Sequence, residues 1–445
     1  MTRTVVIGGG IAGLTAARSA AIAGDEVTVL EGSAAWGGSV ADVRLGELAV
    51  DIGAESFASR GTAVANLALA LGLETAPPTD GGAWLDFGDR AAPIPAGVLG
   101  IPVSPLASDV REAIGTGAAT RAWLDRVTPD LHIGRHRNLG SLVRSRMGET
   151  VLDSLVRPVV QGVYGVDPDD ADVDVLLPGL NGALTRAGSL SGAVASLRAA
   201  APAGAAVTGI RGGVHQLVPA LLEALHRLDV RLAPSSAVDG IVRSDAGWEV
   251  SAAGQRIEAD RVILATSGEA ARSLLRAAVA DDLLEGWPAA RESVAYALLI
   301  DAPELDTAPR GTGVLVVQPS AGEPSALTHS TAKWPWLRDS LPPGRHVLRL
   351  TYPGRATPSL ADAVRDAGRL LGVPLDEASV VAHGGRLWTQ DPSRAQLGVR
   401  ERIEALALAL SDVDGLAVTG SWFAGTGLAA TIPHAQAAGI APSER

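Results

Sequence analysis

The sequence predicts an α/β fold whose parallel sheet begins near the N-terminus, is interrupted by an insertion, and resumes later in the chain. Residues 4–31 have the pattern of strand, glycine-rich turn, helix and strand, the βαβ arrangement of a parallel sheet. A last apolar run at 416–420 leads into a helix that begins near Leu428. Between them, from Gly209 onwards, short apolar runs return in the order of a resumed parallel sheet, at 230–232, 237–242, 248–252 and 260–266.

The opening turn carries the spacing G-x-G-x-x-G at Gly8, Gly10 and Gly13. In such a unit the first glycine permits a tight turn, the second lets a diphosphate approach the backbone, and the third lets helix and strand pack closely. Glu31 ends the second strand, close to the roughly 20 positions after the first glycine at which an acid binds ribose hydroxyls. The carboxylate would repel a 2′-phosphate, so the motif predicts a dinucleotide other than NADP.

Composition limits the class of protein. The 445 residues are 47 % hydrophobic and 19 % charged, which predicts a large core rather than disorder. A formal net charge of −12 argues against binding to nucleic acid. The absence of cysteine excludes disulfides, thiolate metal sites, iron–sulfur clusters and a cysteine nucleophile.

Targeting and metal signals are also missing from the sequence. The first strand begins at residue 4 and no apolar run approaches a membrane span, so we expect a cytoplasmic protein, at most peripheral on the membrane. The eight histidines show no metal-ligand or triad spacing, and we expect no metal. No second dinucleotide fingerprint appears. The single dinucleotide is therefore either NAD in a dehydrogenase or FAD in an enzyme that passes electrons to oxygen or to a diffusible acceptor.

Two further patches extend the motif. Gly37 and Gly38 follow the acid and would let the backbone lie against a diphosphate. Residues 50–57 form a short strand that runs into a turn of small residues, and such a turn can pass close to a flat ring system. The alternative is an ordinary turn between a strand and a helix.

Several stretches taken together resemble the FAD-dependent protoporphyrinogen/coproporphyrinogen oxidases, within the larger flavin amine oxidase superfamily. The resemblance covers nearly the whole chain, and its most discriminating parts are Gln161-Gly162-Val163-Tyr164-Gly165 and Lys333-Trp334-Pro335. The matching stretches are the opening fingerprint with its acid, 51–57, 158–168, 212–214, 333–335, Trp388 and 420–432.

The resemblance implies a Rossmann-like FAD-binding domain interleaved with a mixed-sheet substrate domain and a helical domain. The FAD-binding domain would comprise 1–75, 205–285 and 386–445, the substrate domain 76–105 and 286–385, and the helical domain 106–204. Carried over position by position, the residues expected to bind FAD are Gly8, Gly10, Ile11, Ala12, Gly13, Glu31, Gly32, Gly37, Gly38, Ser39, Gly53, Ala54, Glu55, Ser56, Val238, Trp388, Gly427, Leu428 and Ala429.

For the substrate, the resemblance implies that Arg60 binds a propionate, with Lys333 and Arg349 as further candidates. The alternative for Arg60 is a solvated surface arginine. We name no catalytic side chain, because hydride transfer is the chemistry of the cofactor. The sequence departs from the family at Ala35, where many flavoproteins have arginine, at Ser393-Arg394-Ala395 in place of Gln-Tyr after the proline, at Val399 in place of histidine, and at Ala435 in place of glycine.

The function implied is the six-electron oxidation of coproporphyrinogen III in haem biosynthesis, with oxygen as acceptor and hydrogen peroxide released. Oxidation of protoporphyrinogen IX is the alternative within the family. An amine oxidase is disfavoured by an aromatic content of only 3 %, and a non-catalytic flavin- or porphyrin-binding protein is the alternative of another class. Contacts with the membrane surface and with haem-pathway enzymes stay open.

Overall fold

The computed structural model describes residues 1–59, 61–128, 134–200, 207–245 and 247–440. Its strands are short, except for three in the second half of the chain. They are β1 (Arg3–Ile7), β2 (Glu26–Leu30), β3 (Asp42–Leu45), β4 (Leu48–Asp51), β5 (Phe57–Ala58), β6 (Thr75–Ala76), β7 (Ala83–Asp86), β8 (Ala91–Pro93), β9 (Gly97–Val98), β10 (Ile101–Pro102), β11 (Val207–Ile210), β12 (Arg231–Ala233), β13 (Val238–Ser244), β14 (Gly247–Ala252), β15 (Gln255–Ala259), β16 (Arg261–Leu264), β17 (Arg291–Asp301), β18 (Gly313–Val316), β19 (Ala326–His329), β20 (Arg345–Pro353), β21 (Val380–Gln390) and β22 (Leu416–Val418).

The helices alternate with these strands at both ends of the chain and cluster between residues 108 and 200. They are α1 (Ile11–Ile22), α2 (Ala63–Ala70), α3 (Ser108–Trp123), α4 (Leu139–Met147), α5 (Glu149–Val151), α6 (Arg157–Tyr164), α7 (Val173–Leu176), α8 (Leu180–Ala187), α9 (Leu190–Ala200), α10 (Leu217–Arg227), α11 (Gly268–Leu275), α12 (Ser330–Lys333), α13 (Pro335–Arg338), α14 (Leu360–Leu371), α15 (Val399–Ser411), α16 (Ser421–Ala424) and α17 (Leu428–Gly439).

A parallel sheet forms the base of the fold, with strand order β12-β2-β1-β16-β22. Every neighbouring pair in it is parallel, which is the doubly wound arrangement expected for a dinucleotide-binding unit. Its central strands are buried on both faces, because helices α1, α10 and α17 cover one face and the β13–β15 sheet with α11 and α15 covers the other. The predicted α/β fold is confirmed.

Two of the runs predicted to continue this parallel sheet do not join it. The runs at 237–242 and 248–252 lie in β13 and β14, which pair antiparallel with each other and with β15. The reason is visible in β14, where buried residues alternate with half-buried ones, the pattern of an antiparallel strand with one covered face. Tight turns between consecutive strands leave no room for the crossover that a parallel pairing needs.

A second, mixed sheet has the strand order β21-β17-β20-β19-β18-β7-β8. Helix α14 packs on one of its faces, and the β3–β4 hairpin packs on the other around Val43 and Ile52. We call the face that receives the β3–β4 hairpin the inner face. The inner face looks toward the loops that follow β1 and β4.

Helices α3–α9 enclose an apolar cluster of their own, which includes Leu142, Leu155 and Val160. We propose that the parallel sheet, the mixed sheet and this helical cluster correspond to the predicted FAD-binding, substrate and helical domains. The boundary positions stay predictions, and β21 runs through the predicted boundary at residue 386 without a break. Across the described ranges, the helices are too short or too polar for any of them to span a membrane.

Candidate functional site

The predicted dinucleotide turn lies between β1 and α1. Gly8 has a φ of +109°, and a Cβ atom there would lie 2.6 Å from the carbonyl oxygen of Ala265. A Cβ at Gly13 would lie 1.8 Å from the carbonyl oxygen of Gly8, so neither position accepts a side chain. At Gly10, by contrast, a Cβ would meet nothing closer than 3.8 Å, the distance to Gly38 Cα. The protein alone therefore does not require glycine at position 10, and the free space fits an approaching diphosphate.

The backbone around this turn offers unused donors. Helix α1 begins after Gly10, and no side chain caps its N-terminus. Gly37 donates its N–H to the carbonyl of Gly9 at 2.9 Å, and both Gly37 and Gly38 have positive φ angles. The structure thus brings the Gly37-Gly38 pair beside the helix N-terminus, whose N–H groups and positive dipole end suit a diphosphate.

The acid that follows β2 lies at the same turn. Glu31 accepts hydrogen bonds from the N–H of Gly9 and the N–H of Ser33, each at 2.7 Å. Its carbonyl accepts a hydrogen bond from the N–H of Ser236 at 2.7 Å. Ser236 lies two residues before Val238, so this bond brings the predicted adenine contact near the acid. The carboxylate is therefore fixed in place while each oxygen keeps a free lone pair for ribose hydroxyls.

Trp36 is a residue of this region that sequence reasoning missed. Its indole ring lies so close to Gly9 that a Cβ there would meet the ring at 2.3 Å. The only signal for it in the sequence was a single aromatic residue in an otherwise small and polar stretch, 32–39. Because Ala35 removes the usual arginine, Trp36 is the large side chain left on this loop.

The small-residue turn after β4 meets the Gly38–Ser39 loop and the end of β21. Ala54 donates its N–H to the carbonyl of Ser39 at 3.0 Å, and a Cβ at Gly53 would lie 2.1 Å from that same oxygen. Trp388 donates its indole N–H to the carbonyl of Ile52 at 3.2 Å. Residues far apart in sequence, 39, 53–54 and 388, are thus assembled around one turn.

Glu55, in this turn, is the centre of a buried ion cluster. Its carboxylate pairs with Lys333 through one oxygen and with Arg349 through the other, the second pair at 3.3 Å. Arg349 also donates to the carbonyl of Gly53 at 2.7 Å. Burial by itself would raise the pKa of the Glu55 carboxyl, but Arg349 and Lys333 outweigh burial and hold that pKa at about 2.

Two of the predicted substrate residues belong to this cluster. Lys333 and Arg349 were expected to meet a substrate acid, and the structure shows both already paired with a protein carboxylate. Two cations against one anion leave one net positive charge. Arg349 also keeps a buried Nε without a hydrogen-bond partner. Arg60, the first candidate for a propionate, lies outside the described residues.

The N-terminus of α17 belongs to the same region as the 53–56 turn. Helix α17 contacts β5, which directly follows the 53–56 turn. Gly427 precedes the helix with a φ of +92°, and no side chain caps the N–H groups of the first turn, which includes Leu428 and Ala429. These free donors and the positive end of the helix dipole fit the predicted contact with the flavin ring.

Three of the departures from the family pattern lie at or in this helix. Ser393 Oγ lies 3.2 Å from Thr426 Oγ1, and Arg394 donates to the carbonyl of Ala424 at 3.4 Å. Ala435 is fully buried within α17. Ser393 and Arg394 therefore support the loop that leads into α17.

A row of small side chains crosses the inner face of the mixed sheet. Ala295 pairs with Thr351, and Thr351 pairs with Ala326. Thr351 lies two residues from Arg349 on β20, so both point to the same face. We call Ala295, Thr351 and Ala326 the small-residue floor. Three neighbouring strands span ~10 Å, so the floor is a flat strip about that wide.

The floor has a different neighbour at each end. At one end Ala326 pairs with Leu315. The Leu315 side chain contacts Gly162 of α6, since a Cβ atom at Gly162 would lie 3.0 Å from it. At the other end Ala295 pairs with Arg386. The discriminating Gln161–Gly165 segment thus borders the floor. A Cβ at Gly165 would lie 3.8 Å from Gln390, at the end of the strand that carries Trp388.

Asp51, at the end of β4, was part of the matching stretch 51–57 but had no assigned role. It accepts hydrogen bonds from the backbone N–H groups of Val214 and His215 and faces the His215 ring nitrogen, all at 2.8 Å. It therefore fastens the Gly212-Gly213 turn and the start of α10 to the 53–56 turn.

The match to a family model decides what kind of protein this is. Residues 11–444 match the model of the flavin containing amine oxidoreductases. The chain belongs to this family. As a member of the flavin containing amine oxidoreductase family it is an oxidoreductase whose cofactor is FAD. The unfilled space at Gly10 and the uncapped starts of α1 and α17 fit that cofactor.

Two curated relatives of this flavoprotein are named coproporphyrinogen III oxidase. It is 29 % identical over 413 residues to a coproporphyrinogen III oxidase of Propionibacterium freudenreichii subsp. freudenreichii, covering 84 % of this chain and 76 % of the relative. It is 25 % identical to a coproporphyrinogen III oxidase of Bacillus subtilis (strain 168), covering 98 % and 96 %.

A solved structure shares the fold. The crystal structure named “Putative protoporphyrinogen oxidase” from Exiguobacterium sp. 255-15 superposes with a TM-score of 0.83 at 22 % identity. The superposition covers 98 % of this chain and 97 % of that one. At this identity the match shows the fold, and the substrate has to be argued from the site.

Proposed function

We propose that this flavoprotein oxidises coproporphyrinogen III to coproporphyrin III with molecular oxygen as acceptor, and thereby serves haem biosynthesis. The observation that carries the proposal is the small-residue floor, a flat strip beside the 53–56 turn with cationic side chains around it. The names of the curated relatives support the same substrate class. Protoporphyrinogen IX oxidation is the second candidate, because its macrocycle would fit the same surface.

The size and flatness of the floor suit a tetrapyrrole macrocycle better than a small amine. Thr351 and Ala326 are half-buried and present short side chains in one row, so a broad ring can lie against them, while Ala295 at the end of the row is buried in the cluster around Ile52. Leu315 and the Gly162 backbone limit one end of the row. A small aliphatic amine would leave most of this surface uncovered.

The charges near the floor suit a substrate with several carboxylates. The Glu55, Lys333 and Arg349 cluster carries one net positive charge, and Arg60 is the predicted partner of a propionate. In our proposal, Lys333 and Arg349 act mainly through their charge, because Glu55 and the carbonyl of Gly53 already take some of their donors. A charge buried at this depth is screened less than one in water.

The overall reaction is three successive two-electron oxidations. FAD, when bound, supplies the acceptor for the hydride that leaves a saturated meso carbon. The substrate loses three hydrides and three protons in total, because each of its four meso carbons gives up one hydrogen and two of its four N–H groups are lost. Three molecules of oxygen are reduced to three of hydrogen peroxide. The protein must hold a meso carbon at about 3–3.5 Å from the accepting atom and exclude water from the site. We assign no general base.

The cofactor contacts remain those carried over from the family. In this proposal Gly8–Gly13, Glu31, Gly32 and Gly37–Ser39 bind the ADP half, and Val238 meets the adenine. Residues 53–56, Trp388 and 427–429 surround the flavin ring. The dinucleotide turn and Glu31 directly follow the C-terminal ends of the parallel strands β1 and β2, which supports the assignment of the ADP half.

The test is aerobic turnover of freshly reduced coproporphyrinogen III and protoporphyrinogen IX by the FAD-loaded protein, followed by porphyrin fluorescence and peroxide release. We expect a preference for coproporphyrinogen III of at least tenfold in kcat/KM and three peroxides for each porphyrin. A preference for protoporphyrinogen IX would move the proposal to the second candidate. Failure to oxidise either one with FAD bound would refute the porphyrinogen assignment.

A further inference from the structure

We propose that Arg386 binds a carboxylate of the substrate at the end of the small-residue floor. The inference rests on the proposed function and makes it more specific, because it names the side chain that recognises an acid group. Sequence reasoning assigned that task to Arg60, Lys333 and Arg349 and gave Arg386 no role.

The position of Arg386 follows from the strand register. Arg386 pairs with Ala295, which belongs to the floor, so the Arg386 side chain projects from the inner face at the end of that row. The next inward-facing residue on β21 is Trp388, whose indole N–H is bonded to Ile52 beside the 53–56 turn. Arg386 therefore stands between the floor and the predicted flavin contact.

The guanidinium of Arg386 is oriented by an aromatic ring. Its Cζ atom lies 4.4 Å from the centroid of the Trp388 ring, within the range of a cation–π contact. Stacking on the ring restricts the conformations of the long arginine side chain. It leaves the N–H donors at the edge of the guanidinium able to bind a planar carboxylate at two points. The arginine is thus partly pre-organised for that ligand.

Arg386 differs from the other cations of the site in what it is paired with. Lys333 and Arg349 are held by Glu55. In the part of the chain that the structure describes, no hydrogen bond or ion pair to Arg386 is present, and its guanidinium contacts the Trp388 ring. A half-buried arginine with free donors needs water or an anionic group to complete its hydrogen bonds.

A structural role for Arg386 is the competing explanation. Strand β21 is the edge strand of the mixed sheet, and charged side chains on edge strands prevent pairing with other chains. That role calls for a side chain in open solvent. Arg386 is half-buried and faces inward above Trp388, which favours the ligand role.

The experiment compares Arg386→Leu, Arg386→Lys and the wild type, all loaded with FAD, in the oxidation of coproporphyrinogen III. Arg227→Leu is the control, since Arg227 is an exposed arginine of α10 that pairs with Glu223. We expect Arg386→Leu to raise KM at least tenfold with kcat within about twofold, because one charge-assisted hydrogen-bonded pair is lost. Arg386→Lys should recover part of the KM, and Arg227→Leu should behave as the wild type.

A binding measurement separates recognition of the acid from structural effects. Fluorescence titration with coproporphyrin III should show the same tenfold weakening in Arg386→Leu, whereas its tetramethyl ester, presented in detergent micelles, should bind wild type and variant equally. An unchanged KM in Arg386→Leu, or equal weakening for the acid and the ester, would overturn the inference while the proposed function stands. Loss of FAD from the variant would overturn it too, by making Arg386 a support of the cofactor. If the wild type oxidises neither porphyrinogen, the proposed function fails and the inference fails with it.

Discussion

The two ends of the proposed cofactor groove are built in different ways. At the diphosphate end, residues 8–13 and 37–38 are close in sequence, and backbone geometry sets their positions. At the flavin end, Glu55 meets Lys333 of α12 and Arg349 of β20, which lie almost 300 residues further along the chain. The first end depends on the absence of side chains. The second depends on charged side chains that must be brought together and desolvated.

The two ends therefore fail in different ways when a residue is changed. A change at the diphosphate end acts by steric clash within one βαβ unit and so removes the binding site locally. A change at the flavin end leaves a charge unpaired between two sheets, which weakens the packing of one sheet on the other.

The largest effect is expected from Gly13→Ala. Its Cβ would lie 1.8 Å from the carbonyl oxygen of Gly8, so α1 has to move away from β1 and the turn is lost. We expect the purified variant to carry no flavin absorbance. The control is Gly117→Ala in α3, where a Cβ meets nothing within 4 Å, and this variant should keep its flavin. A Gly13→Ala protein with normal flavin content would contradict the steric account.

At the flavin end, Glu55→Gln should lower the free energy of unfolding by about 3–5 kcal/mol, because it leaves Lys333 and Arg349 as unpaired buried cations. Urea denaturation of the FAD-free protein measures the loss. The exposed pair of Glu74 with Arg211 gives a matched control, and Glu74→Gln should cost less than about 1 kcal/mol. Adding Lys333→Met to Glu55→Gln should restore part of the stability, and further loss in the double variant would refute the pairing argument.

The same cluster predicts a pH dependence with a definite sign. The folded pKa of Glu55 is about 2, below its ordinary value of 4.5, so the cluster contributes its full stability above about pH 4.5. That contribution is lost as the pH falls from 4.5 towards 2. The urea midpoint of the wild type should therefore approach that of Glu55→Gln over this interval. A constant difference between the two proteins down to pH 2.5 would contradict the assigned pKa.

The smallest effect on stability is expected from Gly10→Ala, which should weaken only the binding of FAD. No protein atom lies within 3.8 Å of the added Cβ, so the FAD-free variant should unfold at the same urea concentration as the wild type. The dissociation constant of FAD, measured by quenching of its fluorescence, should rise at least tenfold. Gly240→Ala on β13, where a Cβ also meets nothing, should change neither quantity. Unchanged FAD affinity in Gly10→Ala would show that the space beside Gly10 does not serve the diphosphate.

Sequence patterns predict contacts between residues close along the chain better than contacts between distant segments. The G-x-G-x-x-G turn, its helix and its acid could be predicted because their contacts lie within about thirty residues, and spacing reports such contacts directly. The strands at 237–252 were placed in the wrong sheet, because a short apolar run does not show which partner it will pair with. The pairing of Lys333 and Arg349 with Glu55 could not be predicted, because nothing in the sequence shows that Glu55 lies between them.

The α/β class, the dinucleotide turn and the use of a dinucleotide cofactor follow from local sequence patterns, since these depend on glycine positions and hydrophobic periodicity. Which cations are neutralised and which remain available depends on long-range packing. The pairing of Arg386 with Ala295 and the burial of Glu55 come from strand register and from the packing of one sheet on another. Both are long-range properties, and in a chain of 445 residues no local pattern encodes them.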